Sequence, residues 1–306
     1  MLYMIQRTLK DVGHRFFKFL SPGWGVGSRF PAFARIFEWI GTPPMTPPNA
    51  MVQIQTNQVS FSLRLLENDP TISPLIFANK IWEPHVTRQF EKIITPGMDV
   101  LDIGAHFGYY SLLAAKKLNG SGRVYAFEPD ETNFKLLLKN IRENQMEGKI
   151  LPYQCAAGEK NEDCRLYGNL EGDTSDRILF STGKEKISQV VRCVRVEDYL
   201  QEQVPEALNR IRVIKMDIEG FEMFAARGIT KLLGRQGIHL FTELNYKRLR
   251  DAGTSAKEYL AMLSNFEFKI FQINYHAANE SEWLKSLPLS ELGKENDNHV
   301  DLYCAK

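Results

Sequence analysis

Two glycines, Gly104 and Gly108, carry the first chemical signal in this chain of 306 residues. They follow a short apolar run, precede a segment with helical spacing, and have His106 between them. A turn from a strand into a helix presents backbone N–H groups that can bind a ligand. The dinucleotide fingerprint GxGxxG would require glycine at His106 and Tyr109, where bulky side chains keep a pyrophosphate from the backbone. A nicotinamide-dependent oxidoreductase is therefore a disfavoured alternative for this turn.

The second signal is Glu128, which closes the apolar segment "VYAFEP" 20 residues after Gly108. A carboxylate at the carboxyl end of a strand is costly unless it binds something, and it can accept hydrogen bonds from both hydroxyls of a ribose. A ligand that has a ribose but no pyrophosphate tolerates His106 in the preceding turn. S-adenosylmethionine is such a ligand, so the turn and Glu128 together indicate an S-adenosylmethionine site.

The third signal is the segment "KMDIEGFE", in which Lys215, Asp217 and Glu219 alternate and so project from one face of a strand. We expect Lys215 to form an ion pair with Glu243 on the neighbouring strand, because a buried charge needs a partner. Asp217 and Glu219 then reach the mouth of the site. An alternative role for Glu219, and the expected role of Glu222, is to compensate the positive N-terminus of the next helix.

These residues are positioned by apolar segments that alternate with segments of helical periodicity. Strands that are apolar on both faces and alternate with helices predict a doubly wound α/β fold with a mostly parallel sheet. The ligand is expected beyond the carboxyl ends of the strands, near the topological switch point. The predicted strands are 99–104, 122–129, 149–157, 211–220 and 237–245, with a hairpin at 51–66 and helices at 83–94, 109–118, 131–144, 221–233 and 255–266.

The chain is predicted to consist of an N-terminal helical appendage, 1–48, and a single α/β domain, 49–306. Residues 1–20 form a basic amphipathic helix that docks on its own protein or a partner subunit, with peripheral membrane contact as the alternative. The proline-rich run "TPPMTPP" at 42–48 reads as a linker. A segment rich in turn-forming residues, 158–198, is expected to be an insertion that covers the substrate.

Composition excludes several classes of protein. A formal net charge of +1 gives no reason to expect nucleic-acid binding. No apolar run approaches the roughly 18–20 residues of a membrane span. The four cysteines, Cys155, Cys164, Cys193 and Cys304, form no CxxC pair and suit neither a zinc site nor a disulfide framework. A reduced, cytoplasmic setting is therefore expected.

Three segments resemble the signatures of FkbM-type S-adenosylmethionine-dependent methyltransferases: "DVLDIGAHFGYYSLLAA", "GRVYAFEPDETNFKLLLKN" and "VIKMDIEGFE". The resemblance runs over 82–245 and leaves 1–48 and the interior of 158–188 unexplained. It implies a class I methyltransferase fold, with a seven-stranded sheet in the order 3-2-1-4-5-7-6 and an antiparallel last strand. Residues 268–276 and 299–306 are the candidates for the sixth and seventh strands.

The resemblance also assigns site residues. Asp102 would lie near the methionine amino group of the cofactor, although it could instead cap the turn after its strand. His106 would donate its backbone N–H to the cofactor, with its ring toward the substrate. Ala156 and Ala157 suit the flat adenine ring. The expected cofactor-binding residues are Glu83, Asp102, Gly104, Ala105, His106, Gly108, Glu128, Pro129, Asn133, Ala156 and Asp217.

The reaction implied is O-methylation of a sugar, a glycoconjugate or a secondary metabolite. The expected catalytic residues are Glu219, Asp217, Glu243 and His106. The three carboxylates repel one another, so we expect Glu219 to have a raised proton affinity and to act as the base, with His106 as an alternative. A metal-free site is expected, although a divalent cation could also bind these carboxylates. A non-catalytic, cofactor-binding scaffold and a homo-oligomer are further alternatives.

Overall fold

The computed structural model describes residues 46–67, 69, 71–168, 177–181, 183, 186–275, 282–287 and 299–306. The predicted helix over 1–20 and most of the predicted linker lie outside these ranges. No helix in the described ranges is long and apolar enough to cross a membrane.

Thirteen strands and ten helices occur in the described residues. The strands are β1 Met51–Gln55, β2 Ser60–Arg64, β3 Asp99–Ile103, β4 Val124–Phe127, β5 Ile150–Tyr153, β6 Ala156–Ala157, β7 Glu162–Gly168, β8 Lys186–Val194, β9 Ile211–Met216, β10 His239–Asn245, β11 Lys269–Ile273, β12 Leu284–Ser286 and β13 His299–Ala305. The helices are α1 Ile72–Asn79, α2 Pro84–Ile93, α3 Tyr109–Leu118, α4 Glu131–Glu143, α5 Val196–Gln203, α6 Ala207–Arg210, α7 Glu222–Arg227, α8 Thr230–Leu233, α9 Tyr246–Asp251 and α10 Ala256–Asn265.

Eight strands form the main sheet, in the order β5-β4-β3-β9-β10-β13-β11-β12. The neighbours from β5 to β10 are parallel, whereas β13 is antiparallel to both β10 and β11. This confirms the doubly wound α/β fold. The predicted sheet of seven strands was one strand short, because β12 adds a strand beside β11.

The core lies on both faces of this sheet. Leu101 and Ile214 point into the core on one face, and Val100 and Val213 into the core on the other. All four side chains are inaccessible to solvent. Central strands of a parallel sheet are covered on both faces, which is why their sequences read as continuous apolar runs.

The predicted strand over 149–157 was wrong in one respect, because the chain leaves the main sheet after Tyr153. The N–H of Cys155 donates to the carbonyl of Tyr153, two residues back, and this tight turn bends the chain away. Strand β6 then pairs with β8 in a separate three-stranded sheet, in the order β6-β8-β7. Cys155 and the residues after it therefore lie beside the carboxyl end of the main sheet.

Two helix predictions also differ from the structure. The predicted insertion over 158–198 ends in an unpredicted helix, α5. The single helix expected over 221–233 is divided into α7 and α8 by Gly228 and Ile229. A Cβ atom on Gly228 would lie 2.2 Å from the carbonyl oxygen of Gly158, so the backbone of the insertion passes directly against this break.

The predicted hairpin is confirmed as the antiparallel pair β1 and β2. Helix α4 covers the edge of β2 with two amide side chains one turn apart. Asn140 accepts a hydrogen bond from the N–H of Arg64 (2.8 Å) and donates to its carbonyl (3.1 Å). Asn144 bonds Ser62 in the same way, at 3.0 and 2.7 Å. Asn140 also donates to the carbonyl of Phe107 (2.8 Å), so it links the hairpin to the turn between β3 and α3.

Gly104 lies where the turn after β3 packs against the turn after β9. Its φ is 83°, in the left-handed region, and a Cβ atom there would be only 2.0 Å from the backbone oxygen of Asp217. Two separate constraints therefore require glycine at this position: the backbone conformation and the close approach of another backbone.

We expect Gly104→Ala to destabilise the fold more than Gly97→Ala does. Gly97 also has a left-handed φ, of 93°, but a Cβ atom there would meet nothing within 4 Å. Both variants incur the left-handed strain of roughly 1–2 kcal/mol, and only Gly104→Ala adds a backbone clash. Urea unfolding measures the difference, and equal losses in the two variants would contradict the close approach.

Candidate active site

A cavity of about 880 Å³ opens at the carboxyl ends of the parallel strands. We call the part lined by Ala105, Glu128 and Ala156 the turn end, and the part lined by Lys215, Glu243 and Asp301 the acidic end. Glu128 follows β4 and Glu243 lies on β10, three strand-to-strand steps apart in the sheet. At about 4.8 Å per step, this separates the two ends by about 14 Å.

Glu128 organises the turn end. Its Oε2 accepts a hydrogen bond from the backbone N–H of His106 (2.7 Å), and its Oε1 accepts from the N–H of Asp130 (2.9 Å) and from Nδ2 of Asn133 (3.5 Å). Burial raises the pKa of Glu128 to about 7, and the two backbone hydrogen bonds oppose that rise. The carboxyl group is thus fixed in place before any ligand arrives.

The hydrogen bond of the His106 backbone differs from the one that was predicted. Its backbone N–H, which was expected to donate to a cofactor, donates to Glu128 instead. Its φ of 51° is in the left-handed region, and its ring packs on Phe107 with the ring centroids 4.4 Å apart. His106 still lines the cavity.

Two of the predicted cofactor-binding residues, Asp102 and Gly108, are not part of the cavity wall. Asp102 is buried beneath the turn, where it accepts a hydrogen bond from Oγ of Ser111 (2.5 Å), and burial raises its pKa to about 6. A Cβ atom on Gly108 would lie 2.6 Å from Cδ1 of Leu137, so this glycine allows α3 and α4 to pack. The predicted residues that do line the cavity are Glu83, Gly104, Ala105, His106, Glu128, Pro129, Asn133, Ala156, Asp217, Glu219 and Glu243.

Lys215 is the central charge of the acidic end. Its side chain is only 2% exposed, and Nζ lies 2.7 Å from Oδ2 of Asp217. The ion pair expected with Glu243 is therefore formed with Asp217. Burial acts to lower the pKa of Lys215, but the carboxylates of Asp217, Glu83 and Asp301 outweigh it, so the pKa is raised and the ammonium is retained.

Three further carboxyl groups in this region hold protons more tightly than usual. Burial, followed by the charge of Asp301, raises the pKa of Glu83 to about 8, and Glu83 accepts a hydrogen bond from Tyr110 (2.7 Å). Burial also raises the pKa of Asp301, which accepts a hydrogen bond from the hydroxyl of Tyr275. The pKa of Glu243 is raised well above its usual value by burial, then by the charges of Glu219 and Asp217.

Glu219 and Glu222 have different surroundings. Glu219 has a left-handed φ of 55°, its side chain is 32% exposed, and its Oε2 lies 4.0 Å from Nε of Arg248. Glu222 is buried at the start of α7 and accepts hydrogen bonds from the N–H groups of Ile218 (3.1 Å) and Gly220 (3.2 Å). Glu222 therefore holds the turn and lies outside the cavity wall, as expected for a residue at a helix N-terminus.

Asp301 and Tyr275 are wall residues that sequence reasoning missed. In the β10–β13 ladder, Asp301 lies directly opposite Glu243. The signal in the sequence was an acid near the start of the last predicted strand. That signal becomes useful only when the register of the strand is known, because a shift of one residue would turn Asp301 to the other face.

The insertion over 158–198 contributes to the turn end. Arg177, a wall residue, lies with its Nε 3.2 Å from Oδ2 of Asp130, and Gln189 donates to the same oxygen (2.7 Å). Asp130 also caps α4 by accepting from the N–H groups of Thr132 and Asn133. The described part of the insertion is thereby fastened to the segment that follows β4, and its expected role as a cover over the substrate stays a prediction.

The described ranges contain no preformed site for a metal ion. No group of three or more histidine, cysteine, aspartate or glutamate side chains there has an arrangement that could hold a metal ion.

A family model described as "Methyltransferase FkbM domain" matches residues 102–270, more than half of the chain. No curated protein matches the sequence.

Several solved structures are similar to this chain. A methyltransferase FkbM from Methylobacillus flagellatus KT is 16% identical, with a TM-score of 0.42, and the match covers 76% of this chain and 52% of that one. This chain thus spans about half the length of that protein. A precorrin-6Y C5,15-methyltransferase from Geobacter metallireducens is 10% identical, with 74% and 91% covered and a TM-score of 0.39. Aeropyrum pernix fibrillarin, in complex with natively bound S-adenosyl-L-methionine, is 12% identical, with 69% and 67% covered and a TM-score of 0.38.

The burial of Glu222 leads us to expect that the stability of the fold depends on pH. Burial raises the pKa of Glu222 to about 7, so the folded protein holds a proton that the unfolded chain releases near its usual pKa. This contribution to stability is complete below about pH 4.5 and is lost as the pH rises through about 7.

Glu222→Gln keeps the side chain neutral and retains an acceptor oxygen. Relative to the wild type, its melting temperature should therefore rise by on the order of 2–4 °C between about pH 5 and about pH 8. Differential scanning fluorimetry measures this, with Glu147→Gln as the control at an exposed glutamate. The same relative melting temperature at both pH values would contradict a raised pKa.

Proposed function

The chain belongs to the FkbM methyltransferase family, and we propose that it transfers a methyl group from S-adenosylmethionine to a hydroxyl group of a sugar, a glycoconjugate or a secondary metabolite. One observation carries this proposal. A single cavity connects a fixed carboxyl group after β4, which suits a ribose, with a cluster of carboxyl groups after β9 and on β10, which suits proton removal.

The turn end fits S-adenosylmethionine. A carboxylate has about four acceptor positions, and Glu128 uses three of them within the chain, so it can still accept from a ribose hydroxyl. Ala156 and Ala157 provide a wall without bulk for the adenine. When bound, S-adenosylmethionine supplies an electrophilic methyl group on a positively charged sulfur, and the carboxylate of Asp217 in the neighbouring part of the wall favours that charge.

The reaction is an in-line displacement. The hydroxyl oxygen forms a bond to the methyl carbon, the carbon–sulfur bond breaks with its electron pair remaining on sulfur, and the hydroxyl proton passes to a base. The chain must orient the hydroxyl and accept that proton.

Glu219 is the residue that we propose as the base. It lines the cavity, its partial exposure lets the accepted proton leave to solvent, and Arg248 at 4.0 Å stabilises its carboxylate form. Asp217 is less suited because Lys215 neutralises it. Glu243 is less suited because burial and the neighbouring charges of Glu219 and Asp217 raise its pKa, which favours its protonated form while no cation lies beside it.

The test of the proposed function is cofactor binding followed by turnover. A calorimetric titration should show binding of S-adenosylmethionine, whereas NADH should show no enhancement of fluorescence. A panel of sugars, glycolipids and polyketides should then contain an acceptor that releases S-adenosylhomocysteine. Binding of NADH would favour an oxidoreductase, and S-adenosylmethionine binding without any turnover would favour the scaffold.

Glu128→Ala should weaken S-adenosylmethionine binding by about one to two orders of magnitude. The variant loses charge-assisted hydrogen bonds to the ribose, worth roughly 1.5–3 kcal/mol. Calorimetry measures the affinity, with Glu147→Ala as a control at an exposed site. Unchanged affinity in Glu128→Ala would mean that the cofactor binds elsewhere.

Glu219→Gln should reduce turnover about a hundredfold while cofactor affinity stays near normal, because glutamine keeps the size of the side chain but cannot accept the proton. Release of S-adenosylhomocysteine under saturating substrates measures turnover, and Glu67→Gln is a control at an exposed glutamate. Full activity would transfer the role to His106 or to a bound cation. Loss of activity with EDTA and recovery with magnesium would identify the cation.

A further inference from the structure

Two acidic side chains face each other at the acidic end of the cavity. Glu243 on β10 and Asp301 on β13 are direct partners in an antiparallel ladder. Side chains at such positions lie on the same face of the sheet, with their Cβ atoms about 4.5–5.5 Å apart, and like charges placed in this way destabilise a sheet. Both residues line the cavity. The fold therefore places two acidic groups side by side in the cavity wall, and each holds a proton more tightly than usual.

The described part of the chain compensates this pair only in part. Asp301 accepts a hydrogen bond from Tyr275 and lies near the charge of Lys215. Lys215 is already engaged with Asp217 at 2.7 Å. Oε2 of Glu243 is buried, and within the described ranges it has no hydrogen-bonding partner. A buried polar atom in a cavity wall without a partner is a candidate contact for a ligand.

The charges around this end do not balance either. In the described residues, five carboxyl side chains lie in the wall at this end, those of Glu83, Asp217, Glu219, Glu243 and Asp301. They stand against Lys215 in the wall and Arg248 beside Glu219, and His299, also in the wall, acts to lower the pKa of Asp301. S-adenosylmethionine carries a sulfonium, an ammonium and a carboxylate, so it adds one net positive charge. The formal charges thus leave carboxyl groups without a counter-charge, and each of these either holds a proton, as the raised pKa values of Glu83 and Glu243 indicate, or meets a cation that arrives with the acceptor.

A neutral acceptor explains this arrangement less well. Hydroxyl groups could be bound by the amides that also line this part of the cavity, those of Asn245, Gln272 and Asn274. Amides would bind a polyol without the cost of facing carboxyl groups. The wall also contains the ring of Tyr275 beside Asp301, and a ring next to carboxylates is a common surrounding for an organic cation.

We propose that the acceptor carries a protonated amine close to the hydroxyl that is methylated, as in an amino sugar, and that Glu243 and Asp301 bind this ammonium group. This inference rests on the proposed function and names its substrate class. The ammonium group offers up to three hydrogen bonds, which suffices for Oε2 of Glu243 and for Asp301. It also turns the facing carboxyl groups from a repulsive pair into the two sides of a cation site.

The test compares amines with their neutral counterparts on the full-length protein. The probes are glucosamine, galactosamine and the aminocyclitol 2-deoxystreptamine, each paired with its N-acetylated form, together with glucose and galactose. Binding is measured as the thermal shift in the presence of S-adenosylhomocysteine, and turnover as release of S-adenosylhomocysteine from S-adenosylmethionine. At least one amine should bind about tenfold or more tightly than its N-acetylated form, since a charge-assisted hydrogen bond is lost on acetylation.

Variants assign the preference to the proposed residues. Glu243→Gln and Asp301→Asn should each abolish the preference for the amine, while binding of S-adenosylmethionine stays intact and so shows that the variants are folded. Glu147→Gln, at an exposed site, should keep the preference. Retention of the preference in both Glu243→Gln and Asp301→Asn would overturn the assignment.

The remaining outcomes separate this inference from the proposed function. Turnover of a neutral acceptor with no amine bound, or equal binding of amines and N-acetylated forms, overturns the inference and leaves the methyltransferase proposal standing. A thermal shift with magnesium alone that removes the amine effect also overturns it, because the cation would then be a metal ion. Failure to bind S-adenosylmethionine refutes the proposed function itself.

Discussion

The site depends on one buried ion pair, Lys215 with Asp217. A lysine that is almost inaccessible to solvent can remain charged only if carboxylates surround it, and several elements supply them: the end of β9, the start of α2 and the last strand. The ammonium in turn limits the repulsion among those carboxyl groups. Neither the cation nor the acids could be buried alone, so the segments that carry them must assemble together.

The topology of the sheet explains why the carboxyl group of Glu128 and the acidic cluster share one cavity. Strands β3 and β9 lie side by side in the centre, and the chain continues from them toward opposite edges of the sheet. Ligands in open α/β sheets bind at this switch point. Glu128 lies on one side of it and Glu243 on the other. The distance between Glu128 and Glu243 is thus set by the spacing of the strands rather than by any loop.

The sequence was sufficient to predict the elements that depend on local periodicity. It was insufficient to predict side-chain pairs that depend on the register between strands. Alternation and helical spacing predicted the parallel strands and the hairpin, whereas the glycine turn, Glu128 and the family resemblance predicted most wall residues of the turn end. The pairing of Asp301 with Glu243 depends on the register of β13, which follows a long connection and leaves no local signal. The position of Asp102 outside the cavity wall could not be predicted for a related reason: residues of a fully buried strand point to both faces, and only the packing of Ser111 shows which way this carboxyl group turns.

The hairpin of β1 and β2 belongs to the α/β domain, although it lies before the part of the chain that the family model matches. The family match starts at residue 102, yet a single side chain, Asn140, bonds at once to β2 and to the carbonyl of Phe107 in the glycine turn. Residues before the first recognisable motif are therefore linked through α4 to the turn that lines the cavity. Cutting the chain where the motifs begin would leave the amides of α4 facing water in place of β2, and the turn would lose its support from behind.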